Sequence, residues 1–158
     1  MEEALGATRT GLAESRKAIQ ALRASPLEDL GLALALQNLA ENAAGRADAT
    51  LDLDMPANLE KLPPDVEQCI FRVAQEALEN IVRHAEAQHI TVQMVREDTR
   101  LALSVSDNGQ GFEPAQVDIE KHFGLKGLQE RVSMFTGELQ ISSQAGQGTT
   151  IRLVLEQV

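Results

Sequence analysis

The chain has no tryptophan and no tyrosine, and only four phenylalanines among its 158 residues. A strand of exposed aromatics for stacking on single-stranded bases is therefore missing. Basic residues are also short: 14 Lys and Arg against 24 Asp and Glu leave a formal charge of −10. A surface of that sign repels a phosphate backbone or an acidic membrane. It does not exclude a nucleotide, because a metal ion and main-chain amides can supply a positive field locally. The single cysteine, Cys69, rules out an intrachain disulfide and a cysteine-based zinc cluster. It stands among Val66, Ile70 and Phe71 and reads as a small core residue. No run approaches the ~20 apolar residues of a membrane span, and no basic-then-apolar leader opens the chain. These features predict a cytoplasmic protein, and 158 residues suffice for one domain with a real core.

What is present is periodic. Residues 2–23 predict a helix with Leu5, Leu12 and Ile19 on one seam and Thr8, Ser15 and Leu22 on a second. That pattern suits a coiled-coil remnant or an amphipathic helix lying on its own domain. Ser25-Pro26 ends it, and a second helix is expected over about 28–44, stopped by Gly45. Thr50 to Asp54 reads as a short strand, and Pro63-Pro64 opens a helix running to about His84. Ile90, Val92 and Met94 alternate with polar residues, as do Leu101, Leu103 and Val105. A helix over about 125–135 and two strands, around Leu139–Ile141 and Ile151–Leu155, complete the chain. Alternation of this kind gives strands one buried and one wetter face. The order predicts an α/β chain folded as a two-layer sandwich, a mixed sheet with helices on one face.

In "SVSDNGQGFEP", Leu101, Leu103, Val105 and Asp107 point to the same face of a strand. A carboxylate delivered toward the core needs a donor or it shifts its pKa. Asp107 can cap the turn that follows, as an aspartate before Asn-Gly does, or it can bind a ligand. Gly109 and Gly111 leave room for a flat ligand against the main chain. Thr149 shares a face with Ile151, Leu153 and Leu155, so a hydroxyl reaches the same layer. A carboxylate and a hydroxyl at the rim of an apolar slot suit an adenine ring, whose exocyclic amine donates to the acid.

The helix "FRVAQEALENIVRHA" gathers Arg72, Glu76, Glu79, Asn80 and Arg83 on its polar side. A solvated face with a Glu79–Arg83 pair accounts for these residues taken alone. Glu76 and Asn80, one turn apart, also form a pair of hard-oxygen donors suited to Mg²⁺ on phosphates. His84 follows one turn on, with Arg83 beside it, where either reaches a phosphate or where His84 simply faces the helix-end carbonyls. In "HFGLKGLQERV", Gly124 and Gly127 stand at the mouth of a helix, where amides bind anions or cap the turn. Gly146-Gln147-Gly148 precedes Thr149 and suits a hairpin.

In this order and spacing, the motifs resemble the ATP-binding catalytic domain of sensor histidine kinases, which has the Bergerat ATP-binding fold. Glu76 to Asn80 is similar to that family's N box, Asp107-x-Gly109-x-Gly111 to its first glycine box, His122–Leu128 to its second, and Gly148-Thr149 to its closing Gly-Thr. The wording "QEALENIVRHA" and "GLKGLQER", with "SPLEDLGL" ahead of the domain, looks most like the branch of nitrate/nitrite sensors and the membrane-fluidity thermosensor. The resemblance covers about residues 25–157.

The resemblance implies these roles. Asp107 binds the adenine amine with Thr149 nearby. Asn80 holds Mg²⁺, and Glu76 orients a metal-bound water or assists proton removal. Arg83 or His84 meets phosphate. Gly109, Gly111, Phe112, Gly124, Leu125, Lys126, Gly127 and Leu128 shape the ATP pocket and a lid over 112–123. It further implies that residues 1–24 are the remnant of a second dimerisation helix and 25–158 the catalytic domain. The partners implied are ATP, a histidine-bearing dimerisation domain of the same receptor and a response regulator. In the family the phosphoryl acceptor is an upstream histidine; none occurs here before His84, so ATP binding without self-phosphorylation on histidine is expected. An anti-sigma-type serine kinase of the same fold and a degenerate, non-catalytic nucleotide-binding module are the alternatives. Gyrase-like and mismatch-repair ATPases also share the fold but need a transducer domain for which this chain has no room.

Overall fold

In a computed structural model, residues 27, 30–113 and 126–158 are described. The helix expected over 2–23, most of the expected lid, His122, Gly124 and Leu125 lie outside the described residues. The elements run α1 (Leu32–Ala47), β1 (Thr50–Asp54), α2 (Pro64–Asn80), a π turn (Ile81–Ala85), β2 (His89–Glu97), β3 (Arg100–Asp107), α3 (Lys126–Ser133), β4 (Gly137–Ser143) and β5 (Thr149–Leu155). The five strands form one sheet in the order β1-β2-β3-β5-β4. β1 is parallel to β2, and every other pairing is antiparallel, so the sheet is mixed as expected.

The alternation read from the sequence fixes which face is dry. Ile90, Val92 and Met94 on β2, Leu101, Leu103 and Val105 on β3, and Ile151, Leu153 and Leu155 on β5 are all buried. Against that face lie the apolar stripes of α1 (Leu32, Ala35, Leu36, Ala40, Ala43) and α2 (Val66, Ile70, Val73, Ala74, Ala77, Leu78). Each large side chain so buried contributes roughly 1.5–3 kcal/mol relative to exposure. Cys69 is buried in the same layer, and burial pushes its thiol pKa up, which fits a packing residue. The opposite face of the sheet carries Gln93, Ser104, Thr150 and Arg152 and holds a shallow concavity of ≈ 460 Å³.

Two helix ends differ from expectation. Gly45 does not stop α1; the helix continues to Ala47, and Asp48 takes the left-handed C-cap at φ 53°. The main-chain N–H of Ala49 then closes the end on the Ala44 oxygen at 2.9 Å. At its other end α1 begins at Leu32, behind Gly31 at φ 78°. A residue with that φ cannot continue a right-handed helix, so Gly31 separates α1 from helical backbone at Leu27 and Leu30 and interrupts the helix expected over about 28–44. α2 starts where Pro63-Pro64 predicts, with Asp65 and Glu67 in the first turn favoured by the helix dipole. Its C-terminal end changes character: after Asn80 the helix widens into the π turn, ending at Glu86 with φ 51°.

Candidate functional site

Asp107 ends β3 with its side chain half-buried, beyond the buried Val105 on the same face. Its Oδ1 accepts the main-chain N–H of Gly109 at 2.8 Å, and the main chain of Thr149 donates to the same carboxylate. Burial is the largest influence on this group and raises its pKa above the ordinary aspartate value; the two main-chain donors pull the other way. The turn-capping role weighed from the sequence is therefore present. It does not exhaust the group, because an ionised carboxylate has about four acceptor positions.

The hydroxyl neighbourhood is richer than Thr149 alone. Ser143 Oγ lies 2.9 Å from Thr149 Oγ1, donates to the Gly148 oxygen at 3.1 Å and accepts the Phe112 N–H at 2.9 Å. Ser143 thus ties the end of β4 to β5 and to the residue after the glycine pair. Sequence reasoning passed over it because a serine at a strand end has no signature of its own.

The glycines correct one expectation. A Cβ on Gly109 would fall on the carbonyl of Ala85, and a Cβ on Gly111 on that of Gln144. The room these glycines leave is filled by the chain's own main chain, so they bring segments together and do not form an empty bed for a flat ligand. What they bring together is specific. Gln110 donates its main-chain N–H to the Ala85 oxygen at 2.8 Å and its side-chain amide to the His84 oxygen. Gly146 in the β4–β5 hairpin donates to the Gln110 oxygen at 2.6 Å. Asn108 accepts from the main-chain N–H groups of Gln88 (3.0 Å) and His89 (2.8 Å). The loop after Asp107 is thereby fastened to the π turn that carries Arg83 and His84.

On α2, Asn80 is buried, the one polar side chain so classed among the described residues, while Glu76 one turn earlier is half-buried. The next polar position is a charge cluster. Glu79 accepts from Arg46 of α1 at two points, Nη1 to Oε2 at 2.9 Å and Nη2 to Oε1 at 3.2 Å. It also accepts from Arg83 Nε at 3.2 Å. The Arg46 guanidinium is the largest influence holding the Glu79 carboxyl below its usual range. Arg46 was not singled out in the sequence; only the fold brings it 33 residues along the chain to α2.

Of the remaining expected site residues, Lys126 begins α3, Gly127 is exposed with open space around it, and Leu128 is buried in the core. Among the described residues no group of three or more His, Cys, Asp or Glu could hold a metal ion. The donor set compatible with a cation is the hard-oxygen pair Glu76 and Asn80. That pair suits Mg²⁺, which keeps several waters and takes phosphate oxygens for the rest. No helix among the described residues is long and apolar enough to cross a membrane.

The chain thus combines a mixed sheet with helices on one face, an acid closing the third strand and a polar side of α2 that includes Asn80. Residues 65–158 match the family described as histidine kinase-, DNA gyrase B- and HSP90-like ATPase, and the chain belongs to that family. The signal transduction histidine-protein kinase/phosphatase DegS of Brevibacillus brevis is 36% identical over 143 residues, covering 90% of this chain and 37% of its own length. The sensor histidine kinase LiaS of Bacillus subtilis is 34% identical over 140 residues, covering 89% of this chain and 38% of its own. The chain thus spans little more than a third of these relatives. In three dimensions it is similar to the histidine kinase domain of the Erythrobacter litoralis EL346 blue-light activated histidine kinase. The TM-score is 0.66 at 18% identity, over 80% of this chain and 61% of that one. Acinetobacter baumannii histidine kinase AdeS superposes with a TM-score of 0.64 at 15% identity, over 80% and 64% of the two chains. At these identities the likeness is one of fold.

Proposed function

We propose that this chain is the ATP-binding catalytic domain of a sensor histidine kinase, transferring the γ-phosphoryl group to a histidine imidazole on a dimerisation helix. The observation that carries the reading is Asp107, a carboxylate held half-buried at the end of β3, with acceptor capacity left after its main-chain donors Gly109 and Thr149. Adenine meets this acid through its exocyclic amine, whereas guanine would set a carbonyl oxygen against it. The acid therefore selects one purine.

The triphosphate runs from there toward the end of α2. Arg83 and His84 are anchored relative to Asp107 by Gln110, so the purine and phosphate ends of the ligand are read by parts of one fastened unit. Glu76 and Asn80 would hold Mg²⁺, whose charge offsets that of the phosphates. The residues of this chain bind and orient; the imidazole nitrogen attacks the γ-phosphorus in line, the bond to the β-phosphate oxygen breaks, and ADP leaves. Most of the acceleration then comes from positioning and charge. The sequence holds no histidine before His84, so the acceptor is supplied by another segment, with a response regulator as the onward acceptor and a cytoplasmic setting for the reaction.

The test is phosphorylation in trans. Mixed with labelled ATP, Mg²⁺ and a histidine-bearing dimerisation hairpin from a relative of this branch, the chain labels the hairpin at an acid-labile, base-stable bond. Label on a serine of a partner would favour the serine-kinase alternative, and absence of nucleotide binding would favour a non-catalytic module.

A further inference from the structure

We propose that Glu79 is a positioning residue for the phosphate site: braced by Arg46 from α1, it holds the Arg83 guanidinium so that its terminal nitrogens face the nucleotide phosphates. This rests on the reading of Arg83 as a phosphate contact given above.

The geometry carries the argument. Arg46 engages both Glu79 oxygens, a two-point contact that fixes the plane of the carboxylate. Arg83 meets the same carboxylate through Nε only. A guanidinium held at Nε keeps its Nη1/Nη2 edge for a second anion, and that edge matches two phosphate oxygens. Arg83 needs such a hold. Its side chain is 62% exposed, so packing does not fix it, and it stands on the π turn where Glu79 still reaches it at the i,i+4 spacing. Its neighbour His84 is fastened through its main-chain oxygen to Gln110, so the turn itself does not wander.

Stability does not explain the cluster. Arg46 and Arg83 are largely exposed, with 49% and 62% of their side chains accessible, and ion pairs of that kind contribute little to folding. Electrostatics alone does not explain it either. A carboxylate one residue before Asn80 opposes a triphosphate, and a field built only for attraction would omit it. With two guanidiniums on one carboxylate, the cluster keeps a net charge of about +1, and its negative member acts as an anchor.

The two accounts give opposite signs for one substitution. Glu79→Ala raises the local charge by one unit, so a simple field tightens ATP binding, whereas loss of the anchor weakens it. We expect Glu79→Ala and Arg46→Ala each to weaken ATP binding to the 158-residue chain by roughly three- to tenfold, with adenosine affinity unchanged. Glu79→Gln, which still offers Arg83 an acceptor, should recover part of the loss. Binding is read by competition with a fluorescent ATP analogue, and thermal unfolding checks that each variant is folded. Unchanged or tighter ATP binding in Glu79→Ala overturns the proposal, as does an equal loss for ATP and adenosine. Arg83→Ala separates the layers. If it leaves ATP affinity unchanged, the phosphate role of Arg83 fails and this inference with it. If it weakens ATP while Arg46→Ala and Glu79→Ala do not, the phosphate role stands and only the brace is wrong.

Discussion

The main-chain N–H of Gln110 lies 2.8 Å from the carbonyl oxygen of Ala85, joining the loop after Asp107 to the π turn after Asn80. Two stretches that look like separate motifs in the sequence are thus one mechanical unit. The joint exists because residue 109 has no side chain: a Cβ there would occupy the place of the Ala85 carbonyl.

Gly109→Ala should therefore cost stability and nucleotide binding together. The obstruction is main chain on both sides and cannot swing aside, so a loss of about 1–3 kcal/mol is expected, in the range of overpacked sites. Chemical denaturation measures the first effect and ATP titration the second. A variant with native stability and native affinity would show that the loop and the turn do not need their contact.

Asp107 gives a pH dependence of definite sign. Its folded pKa is raised above the ordinary aspartate value, burial being the main cause. Its contribution to stability is then fully present below that ordinary value and is lost as pH rises through the raised one. At neutral pH the nucleotide-free Asp107→Asn variant should melt no lower than the unsubstituted chain, with any gain shrinking as the solution is acidified. ATP binding runs the other way: it falls as acid protonates Asp107 and removes an acceptor for the adenine amine. Differential scanning calorimetry and nucleotide titration across acidic pH read the two trends.

Asn80→Ala should reduce Mg²⁺-dependent ATP affinity while affinity measured in excess chelator changes little. Trans-phosphorylation should fall by more than tenfold, since a metal held by few protein donors loses its placement when one goes. An Asn80→Ala protein that labels a partner hairpin at full rate would remove Asn80 from the metal site. In the core, Leu78→Ala, at a fully buried position of α2 facing the sheet, should cost about 2–5 kcal/mol.

Much of this was legible in the sequence because the relevant signals are local. Period-two alternation in Ile90–Met94 and Leu101–Val105 is a direct consequence of strand geometry, and the sheet follows it. Pro63-Pro64 marks the start of α2 for an equally local reason. The end of α1 was misplaced because Gly45 is the more familiar stop, while Asp48 adopts the left-handed cap that aspartate tolerates. Contacts over long sequence distance left no local trace. Arg46 on Glu79 and Ser143 on Phe112 become visible only when the chain is folded. The π turn was equally hidden, since Ile81–Ala85 continues the helical pattern of apolar and polar residues without a break.

Purine choice bears most directly on the central claim, that Asp107 reads the amine of an adenine ring. Calorimetric titration of the 158-residue chain with ATP and with GTP, each with and without Mg²⁺, should show ATP bound at least tenfold more tightly, with Asp107→Ala erasing the difference. Equal affinity for the two nucleotides, or an Asp107→Ala chain that still prefers ATP, would contradict it.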